Sequence, residues 1–86
     1  MNTWIPIPFT KRVVVKNDAH QCVCIVVRGN RPKVVCKNYE YYPRSWQGRR
    51  GGNGETVTWD FALGPVRSLL IHKDKKNNLW VQVVWK

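Results

Sequence analysis

From Asn38 to Gly54 the chain reads Asn-Tyr-Glu-Tyr-Tyr-Pro-Arg-Ser-Trp-Gln-Gly-Arg-Arg-Gly-Gly-Asn-Gly. One segment thus gathers three tyrosines, one tryptophan, three arginines and four glycines. Guanidinium groups neutralise phosphate, aromatic faces stack on bases, and glycine lets backbone approach a ligand closely. In that chemistry Arg44, Arg49 and Arg50 would meet phosphates, and Trp46, Tyr41 and Tyr42 would offer stacking faces. Each stacked base contributes about 1–3 kcal/mol. The Arg-Arg-Gly-Gly run could also enter a duplex groove as an arm. The plainer alternative is a long surface loop whose tyrosines pack back on the sheet and whose arginines are only solvated. A second basic set lies at expected hairpins: Arg28, Arg31, Lys33 and Lys37 bracket one, and Lys73, Lys75 and Lys76 crown another. Charge at such tips also serves solvation and edge protection. It extends a binding face only if the tips share the side of the 38–55 loop.

The histidines and cysteines support neither metal nor catalysis. His20, Cys22, Cys24 and Cys36 resemble a zinc set in composition. On an extended strand, however, same-face neighbours sit about 6.8 Å apart, so His20 and Cys24 would be about 13 Å apart. Zinc needs all its ligands within about 2.3 Å of one centre. Small buried cysteines in a central hairpin are the expectation, with Cys36 across from the Cys22–Cys24 strand and a disulfide forming adventitiously in air. The acid–base candidates, His20 and His72 with Glu40, Glu55 or Asp60, show no spacing that brings them together. No nucleotide-binding, metalloprotease or nucleophile-elbow motif is present, and carboxylates are too few for a two-metal nuclease. The chain reads as a non-enzyme with no cofactor and no metal.

Charge bounds the partners. Fifteen Lys+Arg against five Asp+Glu give a formal net charge of +10, which attracts polyanions. No apolar run reaches the roughly 18 residues of a membrane span, and no basic amphipathic helix is visible. The first nine residues carry Pro6 and Pro8 and no charged leader, unlike a signal peptide. Three cysteines are an odd number for a secreted framework. Together these point to an intracellular, reducing setting: cytoplasm, nucleoid or nucleus.

The elements that would hold these residues are strands. With 86 residues there is room for one domain with a small core. Residues 1–10 read as an extended arm or edge strand, since proline cannot donate to a ladder. Lys11–Lys16, Gln21–Val27, Lys33–Lys37, Thr56–Phe61, Val66–Lys73 and Leu79–Trp85 are rich in β-branched and aromatic residues. Asn17-Asp18, Arg28–Pro32, Gly64-Pro65 and Asp74–Asn78 punctuate them. Val57, Trp59 and Phe61 alternate with Thr56, Thr58 and Asp60, while the last strand is largely apolar on both faces. The expectation is all-β: a small antiparallel barrel or strongly bent sheet of five to six strands, SH3-like or OB-like by size alone.

These readings imply a non-catalytic nucleic-acid binder, single strand favoured over duplex, DNA or RNA, with low sequence specificity. Phosphate contacts and stacking carry little base information. Five tryptophans on a small core suggest exposed aromatic surface and a homodimer. Two alternatives stand beside this. One is a basic inhibitor or adaptor, viral or from a mobile element, occupying an acidic groove on a host protein, because Trp, Tyr and Arg are also interface hot spots. The other is a structural subunit of a nucleoprotein particle.

Overall fold

Among the described residues there are eight strands and no helix: β1 Ile5–Pro6, β2 Arg12–Lys16, β3 Gln21–Val26, β4 Pro32–Cys36, β5 Tyr39–Tyr41, β6 Thr56–Asp60, β7 Val66–Lys73 and β8 Leu79–Trp85. The structure is a computed structural model and describes residues 3–27, 31–44 and 52–86. The strands form two four-stranded antiparallel sheets, in the orders β1-β8-β7-β6 and β2-β3-β4-β5. The sheets keep separate edges and do not close into a barrel. The N-terminal arm supplies an edge strand, pairing Ile5 with Val81 and Pro6 with Trp80.

Alternation explains the packing. In β3, Cys22, Cys24 and Val26 are buried; across from them so are Pro32, Val34 and Cys36 of β4. The other sheet contributes Trp59, Leu69, Ile71, Leu79 and Val81, and with Cys22, Cys24, Val26, Val34 and Cys36 they form one core cluster. Trp59 is fully buried, and its indole N–H has no hydrogen-bond partner. An unmet buried donor costs about 1–3 kcal/mol. Burying roughly 200 Å² of tryptophan at about 25 cal/mol/Å² returns about 5 kcal/mol, so burial wins.

Turns are built from side chains. Asn17 Oδ1 accepts the N–H groups of Ala19 and His20, closing β2 to β3. Asp74 Oδ1 accepts those of Lys76 and Asn78, closing β7 to β8. A shorter hairpin, Lys37-Asn38, joins β4 to β5 with Lys37 in the left-handed region at φ 56°. Part of the segment expected as loop is therefore strand, from Tyr39 to Tyr41.

Register also selects which cysteines meet. Cys22 lies opposite Cys36, with their Cα atoms 4.3 Å apart, and the two form a disulfide; Cys24 lies opposite Val34. The Cys24 thiol is free, and burial pushes its pKa up to about 12, so it stays protonated and unreactive. His20 stands in the β2–β3 turn, away from any such cluster. Among the described residues no group of His, Cys, Asp and Glu converges to hold a metal ion. Nor, among them, is any helix long and apolar enough to cross a membrane.

Candidate nucleic-acid interface

Three cations converge where the two sheets meet, at the β6–β7 connection. Arg44 leaves β5, and its backbone N–H donates to the Asp60 carbonyl at the end of β6. Arg67 owes its outward position to a β-bulge: Val66 pairs with Trp85 and Ser68 with Val84, leaving Arg67 as an extra residue. With strict alternation inward from Leu69 and outward at Ser68, position 67 would face the core; the bulge turns it to solvent. Lys86 follows β8, where its N–H donates to the Pro65 carbonyl and its ammonium to the Ala62 carbonyl at 3.0 Å. Arg44, Arg67 and Lys86 line one open groove of about 560 Å³ with Asp60, Phe61, Ala62 and Ser68. Asp60 is the groove's one acid, and it accepts the Ser68 hydroxyl at 2.8 Å. Three positive charges less one negative leave a local +2 on an exposed surface, suited to an anion.

The turn that carries this groove is shaped by Gly64, at φ 85°. A Cβ there would sit 2.9 Å from the Tyr41 ring, so glycine lets Tyr41 close over the connection. Tyr41 is accordingly half-buried against the core, and it stacks on Tyr39 with ring centroids 6.2 Å apart. Its neighbour Tyr42 is exposed and donates its hydroxyl to Glu40 at 2.7 Å. Glu40 also accepts the Lys33 ammonium at 3.3 Å. The Tyr42 hydrogen bond, followed by Lys33, holds the Glu40 carboxyl below its ordinary value; the same bond raises the Tyr42 phenol.

The expected site residues thus fall into separate groups. Arg44 joins the groove. Arg31, Lys33, Glu40 and Tyr42 are neighbours on and beside the outward face of the β2-β3-β4-β5 sheet. Lys75 and Lys76 are exposed in the β7–β8 turn, where the Lys75 carbonyl accepts the Asn53 amide at 3.4 Å. Arg28, Trp46, Arg49 and Arg50 lie outside the described residues. The flanks of that last segment are fixed: Arg44 on Asp60, and Gly54 on the Lys73 carbonyl. These anchors stand at opposite ends of β6, about 17 Å apart along an edge strand of five residues. Arg67 and Lys86 were not singled out in the sequence, because a bulge leaves no mark in an alternation pattern and Lys86 follows the last strand.

Lys33 already has an anionic partner, which yields a prediction. Glu40→Gln raises the net charge from +10 to +11 and releases Lys33. One further phosphate contact on a single strand would tighten oligonucleotide binding by up to about 8-fold at 50 mM salt, with the salt slope steeper by about 0.7. Thermal stability should hardly move, since exposed ion pairs contribute little. Fluorescence titration of both proteins at two salt concentrations measures it; unchanged affinity would mean that Lys33 makes no phosphate contact.

A comparison with protein families, curated proteins and solved structures finds no match to this chain.

Proposed function

We propose that this chain is a non-catalytic nucleic-acid-binding protein that takes single-stranded DNA or RNA in preference to duplex, through phosphate contacts and aromatic stacking, with little sequence preference. The observation that supports it most is the Arg44–Arg67–Lys86 groove, because it sits at one fixed end of the segment carrying Trp46, Arg49 and Arg50. A cationic groove lined by Arg44, from which the chain runs on in sequence to Trp46, Arg49 and Arg50, suits a flexible polyanion with unpaired bases on a chain of net charge +10.

The same proposal includes a homodimer. Val14, Val23 and Val35 lie in register across the outward face of the second sheet, and Val14 is 55% exposed. Sedimentation would then give twice the 10.1 kDa chain mass. An intracellular setting, cytoplasmic or at the nucleoid or nucleus, belongs to the proposal too. Thiol labelling of protein taken directly from cells measures whether Cys22 and Cys36 are bonded there.

Gel shifts with single-stranded DNA, duplex DNA and RNA at two salt concentrations test the function. Tighter single-strand than duplex binding, weakening as salt rises, is expected. Equal or stronger duplex binding would remove the single-strand preference.

A further inference from the structure

Two of the described tryptophans are on the outside of the same sheet, which a solvent-facing β-surface does not require. Alternation would place polar residues on the outward face of β1-β8-β7-β6, and Thr56, Thr58, Asp60 and Ser68 obey it. Trp4, Leu70, Trp80 and Val84 do not, and His72 adds a third ring beside the two indoles. Thr56, His72, Trp80 and Pro6 lie in register across the four strands. Trp4 precedes β1, yet its ring centroid is 5.8 Å from that of His72 on β7, with β8 between them in the sheet. The Trp4 ring therefore lies over β8, where Gln82 on the outward face is buried.

Each ring is held. The Trp80 indole N–H donates to Asp74 Oδ2 at 3.2 Å, and His72 Nδ1 is 2.9 Å from the Thr56 hydroxyl. Their polar edges are engaged within the sheet, leaving faces for contact; Trp4 remains 39% exposed. Charge completes the surface. Lys75 and Lys76 are exposed in the turn that joins the His72 and Trp80 strands, while the acids at this end are occupied. Asp74 accepts three hydrogen bonds, and Glu55 accepts the Gly52 N–H.

We infer that the outward face of the β1-β8-β7-β6 sheet is a base-stacking platform for single-stranded nucleic acid, with Trp4, His72 and Trp80 as stacking residues and Lys75 and Lys76 as phosphate contacts. This rests on the proposed function and names where the bases go. Paired bases already have both faces covered by neighbours, so a face of rings beside lysines suits an unpaired strand. From Lys73 to Arg67 the sheet runs about 20 Å, so one strand could lie on the platform and reach the arginine groove.

The test uses the intact chain, its Trp4→Ala and Trp4→Phe variants, and two oligonucleotides of equal length, one normal and one abasic. The abasic strand keeps every phosphate and loses every stacking face. Trp4→Ala should weaken the normal strand by roughly 5- to 150-fold, the span of one lost stacked base, and leave the abasic strand unaffected. Trp4→Phe should restore most of the loss, and thermal melting of all three proteins should agree, since Trp4 lies outside the core. A Trp4→Ala variant that binds the normal strand like the parent, or loses the abasic strand equally, would overturn the platform while leaving nucleic-acid binding in place. A parent chain that binds neither strand at low salt would overturn both.

Discussion

Replacing Arg44, Arg67 and Lys86 together by glutamine should weaken binding of a single-stranded oligonucleotide by on the order of 500-fold at 50 mM salt and by about 30-fold at 200 mM. The size follows from counterion release. Each phosphate contact on a single strand adds about 0.7 to the slope of log affinity against log salt, so three lost contacts make the slope shallower by about 2. The shrinking penalty at higher salt separates lost charge from lost folding, which would reduce affinity at every salt concentration. All three residues are exposed, so folding should survive their neutralisation. A matched control removes the same charge elsewhere: Lys11, Arg12 and Lys16, also exposed, on or beside the other sheet. Both triple variants fall from +10 to +7 (10 − 3). If the control weakens binding equally, net charge alone acts and the groove contributes nothing particular.

Loss of the Cys22–Cys36 bond should lower stability by about 3 kcal/mol, because it closes a loop of about 15 residues in the unfolded chain. The two cysteines are separated by 14 positions and join the central strands of their sheet. For a domain of this size the loss corresponds to a fall in melting temperature of roughly 12–24 °C. Reducing agent or a Cys22→Ala/Cys36→Ala variant should produce it, while Cys24→Ala should leave the bond intact. Mass spectrometry of the oxidised chain should show a single thiol that reacts only after unfolding, the buried Cys24. Equal melting of oxidised and reduced protein would show that the bond does not constrain this fold.

The strands were legible where β-branched runs met strong turn residues. Val13–Val15, Val23–Val26 and Val34-Val35 fall in strands, and Asn17-Asp18 and Asp74–Asn78 form the turns their side chains favour. The β4–β5 hairpin was not legible. Its turn places Lys37 at positive φ, where glycine or asparagine is usual, so Tyr39–Tyr41 read as loop. Closure was equally hidden, since strand count does not reveal that β1 pairs with β8 and that both sheets keep free edges.

The candidate site was legible only in its composition. Arg44 stood out by its aromatic and glycine neighbours, but the bulge that turns out Arg67 depends on a pairing register. The tryptophans could be counted but not sorted: Trp59 fills the core while Trp4 and Trp80 face outward. Cysteine parity does not decide the setting for a related reason. One bonded pair plus one buried thiol also makes an odd number.

The proposed phosphate recognition by this basic surface is tested most directly by titrating the intact chain with a single-stranded oligonucleotide across a salt series, following tryptophan fluorescence. With about 4–6 phosphates neutralised, log affinity should fall linearly with log salt at a slope of about −3 to −5. No binding at low salt, or binding that does not respond to salt, would contradict it.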